Sequence, residues 1–111
     1  MDLELKQINQ YYGTENYYNV MGVNATDGIA YIMENGYSWV VTDAVVICKM
    51  KLKNEPFISI KLKLKEDNKA EIVYTDGNDK ILYTQKYDYT NVKKELNIFV
   101  TDNVIMLSGE Y

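Results

Sequence analysis

The sequence contains no histidine and no arginine, so each of the twelve basic residues in its 111 positions is a lysine. Without histidine it lacks the side chain that titrates near neutral pH and most often serves as general base or metal ligand. Without arginine it lacks the planar fork that grips carboxylates and phosphates at two points. The single cysteine, Cys48, excludes an internal disulfide and a zinc cage. Its six glycines stand singly, at positions 13, 22, 28, 36, 77 and 109, and none builds a phosphate-cradling loop. The serines are Ser38, Ser59 and Ser108, and a serine triad needs a histidine partner for them. No spaced run of acids forms a calcium loop, so the expectation is no metal and no cofactor, with a two-carboxylate magnesium site left open. No apolar run approaches the roughly 20 residues of a transmembrane helix. The N-terminus is acidic where a signal peptide would be basic, which together predicts a cytoplasmic protein away from membranes.

Tyrosine is what the chain has in abundance, with eleven residues. It combines a large, fairly rigid ring with a polar tip, suited to covering a partner surface at low entropic cost. The pattern leans away from catalysis and toward recognition. An AT-rich coding sequence, which favours lysine, asparagine, isoleucine and tyrosine together, is a competing origin of the same bias. The net charge of −4 is uneven: residues 1–48 and 66–111 are acidic, whereas residues 49–65 hold six lysines against Glu55. An acidic whole opposes general nucleic-acid binding through phosphate repulsion.

The length predicts one domain spanning 1–111. Asp2 is placed to cap a helix bearing Leu5, Ile8 and Tyr12 on one face, with Gly13 at its end. Thr26 and Asp27 open a second helix carrying Ile29, Ile32 and Met33, which Gly36 terminates. Residues 38–50 combine strand-favouring valines with helical spacing of Trp39, Asp43, Val46, Ile47 and Met50, and their length selects helix over strand. After Pro56 the period becomes two. Strands are predicted at Phe57–Lys65, Ala70–Thr75, Lys80–Tyr87, Leu96–Thr101 and Val104–Ser108, with Asp76-Gly77-Asn78 as a hairpin turn. The predicted fold is α+β, with N-terminal helices packed on one face of a C-terminal antiparallel meander of about five strands.

Three groups of residues are candidates for function. Asp43 shares a predicted helix face with Trp39, where a carboxylate is costly unless paired. It serves either as a hydrogen-bond acceptor for backbone or tyrosine, or as a ligand or acid–base group in a pocket beside the indole. Tyr11, Tyr12, Tyr17 and Tyr18 flank a loop containing Thr14 and Glu15, reading as core-edge rings or as an exposed aromatic platform. Lys61, Lys63 and Lys65 form a polar stripe along one strand, read as a solvated face that protects an edge from aggregation.

The ordered set Gly13-Thr14-Glu15, Thr26-Asp27-Gly28, Trp39 followed by Asp43, and Ser108-Gly109-Glu110-Tyr111 resembles an uncharacterised small-protein family of bacteria, phages and mobile elements. The resemblance implies a compact α+β domain and a mobile-element setting, and it assigns no catalytic residue. With that setting, the expected function is a non-enzymatic protein that acts through protein–protein contacts. Its concrete form is an anti-CRISPR-like inhibitor of a host defence complex, aimed at a basic, nucleic-acid-handling protein surface rather than at nucleic acid itself. A small-ligand or nucleotide-binding module built on Trp39 and Asp43 is the alternative, and self-association is left open.

Overall fold

The computed structural model describes residues 14–111. The helix expected over Asp2 to Tyr12, together with Tyr11 and Tyr12 as candidate site residues, lies outside the described residues. From Thr14 onward the chain forms a mixed α+β structure whose strands are β1 (Tyr18–Val20), β2 (Val23–Ala25), β3 (Phe57–Leu64), β4 (Ala70–Thr75), β5 (Ile81–Tyr87), β6 (Leu96–Thr101) and β7 (Val104–Leu107). They join in one seven-stranded sheet of order β1-β2-β7-β6-β3-β4-β5. The expected count of about five strands is therefore too low. The two additional strands form a hairpin of three residues each, turned by Met21 and Gly22 with both φ angles positive, as a tight two-residue hairpin requires.

Nor is the sheet a simple meander. Strands β3, β4 and β5 follow one another by hairpins, and β6 then returns to pair antiparallel with β3. That arrangement is a Greek key, in which the fourth strand lies beside the first. β7 pairs antiparallel with β6 on one side and parallel with β2 on the other.

The helical layer comprises α1 (Asp27–Ile32) and α2 (Ser38–Lys51), joined through a widened turn at Met33–Tyr37. Asn35 and Gly36 leave helical dihedrals there, with Gly36 at φ 98°, so the helices meet at a kink. The helix expected at 38–50 is present despite its β-branched residues, because burial overrides a weak intrinsic preference. Its inward face differs from the expected one. Val40, Val41, Ala44, Val45, Ile47 and Cys48 are buried, whereas Met50 is 75% exposed and Trp39, Asp43 and Val46 stand at the flank. No helix among the described residues is long and apolar enough to cross a membrane.

The core lies between this layer and one sheet face, where Ile58, Ile60, Leu62, Ile72, Tyr74, Leu96, Ile98, Ile105 and Leu107 alternate inward. Tyr37 and Tyr74 are fully buried, and each hydroxyl has a partner. The Tyr37 hydroxyl donates to the Lys94 carbonyl and accepts from the Lys94 N–H, both at 3.0 Å. The Tyr74 hydroxyl donates to Gln85 Oε1 at 2.6 Å. Desolvation raises the pKa of both phenols.

Candidate interaction surface around the start of the first helix

Three segments far apart in sequence converge where α1 begins. Thr26 is the N-cap, and its hydroxyl oxygen accepts weakly from the Ile29 N–H at 3.4 Å. That hydroxyl donates to Glu110 Oε1 at 2.7 Å, while the Gly28 N–H donates to Glu110 Oε2 at 3.1 Å. The Leu107 N–H adds a third bond to the same carboxylate at 2.9 Å. The Thr14 hydroxyl accepts from the Asp27 N–H at 2.9 Å and donates to the Asn16 carbonyl at 2.7 Å. Three backbone donors of the first helical turn, which have no partner within the helix, are thus satisfied by a threonine cap, a second threonine and a carboxylate. Glycine at position 28 leaves room for this arrangement: a Cβ there would meet Glu110 Oε1 at 2.5 Å and Leu107 Cδ1 at 2.7 Å, and would push those side chains aside.

Asp27 ties this cap to the loop before β1. Its Oδ2 accepts from the Glu15 N–H at 3.0 Å. That bond is the main reason its pKa lies below the ordinary carboxylate value, with further hydrogen bonds from the Tyr18 and Thr14 side chains acting the same way. Thr14, Glu15 and Tyr18 are therefore gathered at the start of α1, and Tyr17 stands between Asn16 and Tyr18 in the same segment. Tyr17 is 58% exposed and Tyr18 46%. Next to them, Asn16, Tyr18, Asp27, Ala30, Tyr31 and Glu34 line a cleft of about 370 Å³ with two carboxylates and two phenol rings in its walls.

Asp43 belongs elsewhere. It stands on α2 and accepts a 2.7 Å hydrogen bond from the Tyr87 hydroxyl on β5, the sheet edge opposite β1. Trp39 meets the same Tyr87 ring edge-on, at 5.0 Å between centroids. The three side chains link α2 to an edge strand. Burial, followed by the bond to Asp43, pushes the Tyr87 phenol up. Among the described residues no group of three cysteine or acidic side chains is placed to hold a metal ion.

Sequence reasoning missed an aromatic cluster on the sheet face turned away from the helices. Phe57 and Phe99 contact at 5.0 Å between centroids, and Tyr111 packs against them at 5.6 and 5.5 Å. The signal was present in the period of two, which places Phe57 on the same side of β3 as Lys61 and Lys63. Those lysines are exposed, with Lys63 opposite Glu71 in the register. The C-terminal residues thus grip both faces of the sheet, Glu110 at the helix and Tyr111 at the rings.

Comparison with known proteins finds a family whose model matches residues 2–111, nearly the entire chain. The chain belongs to the Family of unknown function (DUF6876). No curated protein and no solved structure matches it. For this DUF6876 member, the interlocked cap, the acidic cleft and the exposed tyrosines form the most organised surface near the sequence-derived candidates.

Proposed function

We propose that this DUF6876 protein is a non-enzymatic binding protein that acts through protein–protein contacts made around the start of α1. The observation that carries the reading is the acidic, tyrosine-walled cleft beside exposed Tyr17 and Tyr18. Rigid aromatic rings make effective anchors when polar groups surround them, and Thr14, Glu15 and Asn16 supply that rim. Asp27 and Glu34 suit a cationic side chain of the partner, and acidic surfaces steer toward basic ones. The partner class is a basic protein surface, such as one built to hold nucleic acid. The concrete form is a phage or mobile-element inhibitor that occludes a host defence complex from the cytoplasm. Trp39 and Asp43 are both committed to Tyr87, one by ring contact and the other by a hydrogen bond, so fastening α2 to the sheet edge accounts for the pair without a ligand.

The test immobilises the protein, presents it with soluble proteins of its own cell, and compares wild type with Tyr17→Ala and Glu34→Lys. A partner retained by wild type and lost by both variants, at unchanged melting temperature, is the expected result. Loss of about 2 kcal/mol or more of affinity at Tyr17 would mark an anchor. Retention equal across all three proteins would remove the function from this surface.

A further inference from the structure

The β3–β4 turn and the segment leading to β6 line a cavity of about 140 Å³. We propose that this cavity binds a phosphoryl dianion, either free phosphate or the terminal group of a phosphomonoester. Its walls carry Lys65, Lys69 and Lys93 together with Asn68 and Thr90, and no acid contributes to the lining. In a chain of net charge −4, that is a local reversal of sign. None of the three lysines is paired with a carboxylate among the described residues. Three lysines bordering one small cavity favour an anion there, since a bound negative charge offsets the repulsion between like charges.

The chemistry of the wall agrees. Thr90 is only 6% exposed, and its hydroxyl oxygen accepts the Val92 N–H at 3.2 Å. The hydroxyl proton has no acceptor among the described residues, so it is available to an oxygen in the cavity. The walls are fastened to one another: the Thr90 N–H donates to the Asn68 carbonyl at 2.6 Å, and the Lys65 N–H to the Lys69 carbonyl at 2.8 Å. The volume is ample for a tetrahedral oxyanion together with several waters. Lysines act as point charges rather than a shaped fork, so charge decides selection and a dianion is preferred over a phosphodiester monoanion. This site is independent of the protein-binding surface, and either can fail without the other.

The experiment is an amide chemical-shift titration of the whole chain at low ionic strength. The probes are inorganic phosphate, O-phosphoserine and a short phosphodiester oligonucleotide. Saturable shifts at Thr90, Lys69 and Lys93 are expected with the first two probes, and none at Lys61, on the open sheet face. Lys69→Gln and Lys93→Gln should each weaken phosphate binding roughly two- to fivefold, and Lys61→Gln should leave it unchanged. O-phosphoserine affinity should fall as pH drops through about 6, where the group loses its second charge. Non-saturating shifts spread over all lysines, affinity unmoved by both pocket variants, or a preference for the oligonucleotide would each overturn the assignment.

Discussion

Replacing Glu110 by alanine should be among the most damaging single changes to this protein at a partly exposed position. Its carboxylate receives the Thr26 hydroxyl at 2.7 Å, the Leu107 N–H at 2.9 Å and the Gly28 N–H at 3.1 Å. A hydrogen bond to a charged group contributes roughly 1.5–3 kcal/mol. The site is partly buried, so water recovers some of each bond, and the net loss works out at about 3 kcal/mol for the set. Against a total stability of roughly 5–15 kcal/mol, that is a large fraction. At a slope near 1.5 kcal/mol per molar urea, the unfolding midpoint should fall by about 2 M. Equilibrium urea unfolding followed by circular dichroism reads this directly. Glu110→Gln should fall between, because an amide retains one acceptor oxygen and turns a donor toward the other partners. Gly28→Ala should also destabilise, and its cost should shrink in the Glu110→Ala background, since the added Cβ would no longer meet Oε1 at 2.5 Å. A Glu110→Ala midpoint within the scatter of ordinary surface substitutions, about 0.5 kcal/mol, would refute the cap as a stabilising element.

Two further outcomes concern Tyr87 and Cys48. Tyr87→Phe removes the hydroxyl bound to Asp43 but keeps the ring against Trp39, so stability should drop by about 1 kcal/mol while indole emission stays in place. Tyr87→Ala should shift that emission to the red, and an unmoved spectrum would contradict the ring contact. Burial pushes the Cys48 thiol up to about 12 from its ordinary value of 9.0. A thiol reagent at mildly alkaline pH should therefore label it only as fast as the fold opens, and immediate labelling would count against its burial. The raised value favours the neutral thiol in the fold, so this contribution is complete below pH 9 and is lost as pH rises toward about 12.

The sequence made the strands from β3 to β7 legible because their period is two and their turns carry polar punctuation. β1 and β2 were not, since three residues are too few to display a period. The Greek key was also invisible, because nothing local in Leu96–Thr101 says that its neighbour is β3 rather than β5. For α2 the difficulty was a surplus of apolar residues. Two stripes competed, and the one containing Met50 lost to the valine–alanine stripe that fits closely against the sheet. Within the candidate site, the loop tyrosines and Thr26-Asp27-Gly28 stood out, whereas the bond between Thr26 and Glu110 spans 84 positions and no spacing rule encodes it. Tyr37 and Tyr74, both fully buried, show that tyrosine richness here also serves the interior.

The strands that come last in the sequence, β6 and β7, stand in the middle of the sheet. During synthesis two parts of the sheet therefore emerge first on the same chain, the β1–β2 hairpin with its helices and the β3–β4–β5 hairpins. Each presents an unpaired edge, β2 on one and β3 on the other, until the intervening strands emerge. Open edges of this kind attract other chains, and contacts between distant segments form slowly. Completion must wait for β6 and β7, whose arrival joins the two halves and brings Glu110 to the waiting helix. A nascent chain arrested before Leu96 lacks both central strands, so it cannot form the joined sheet.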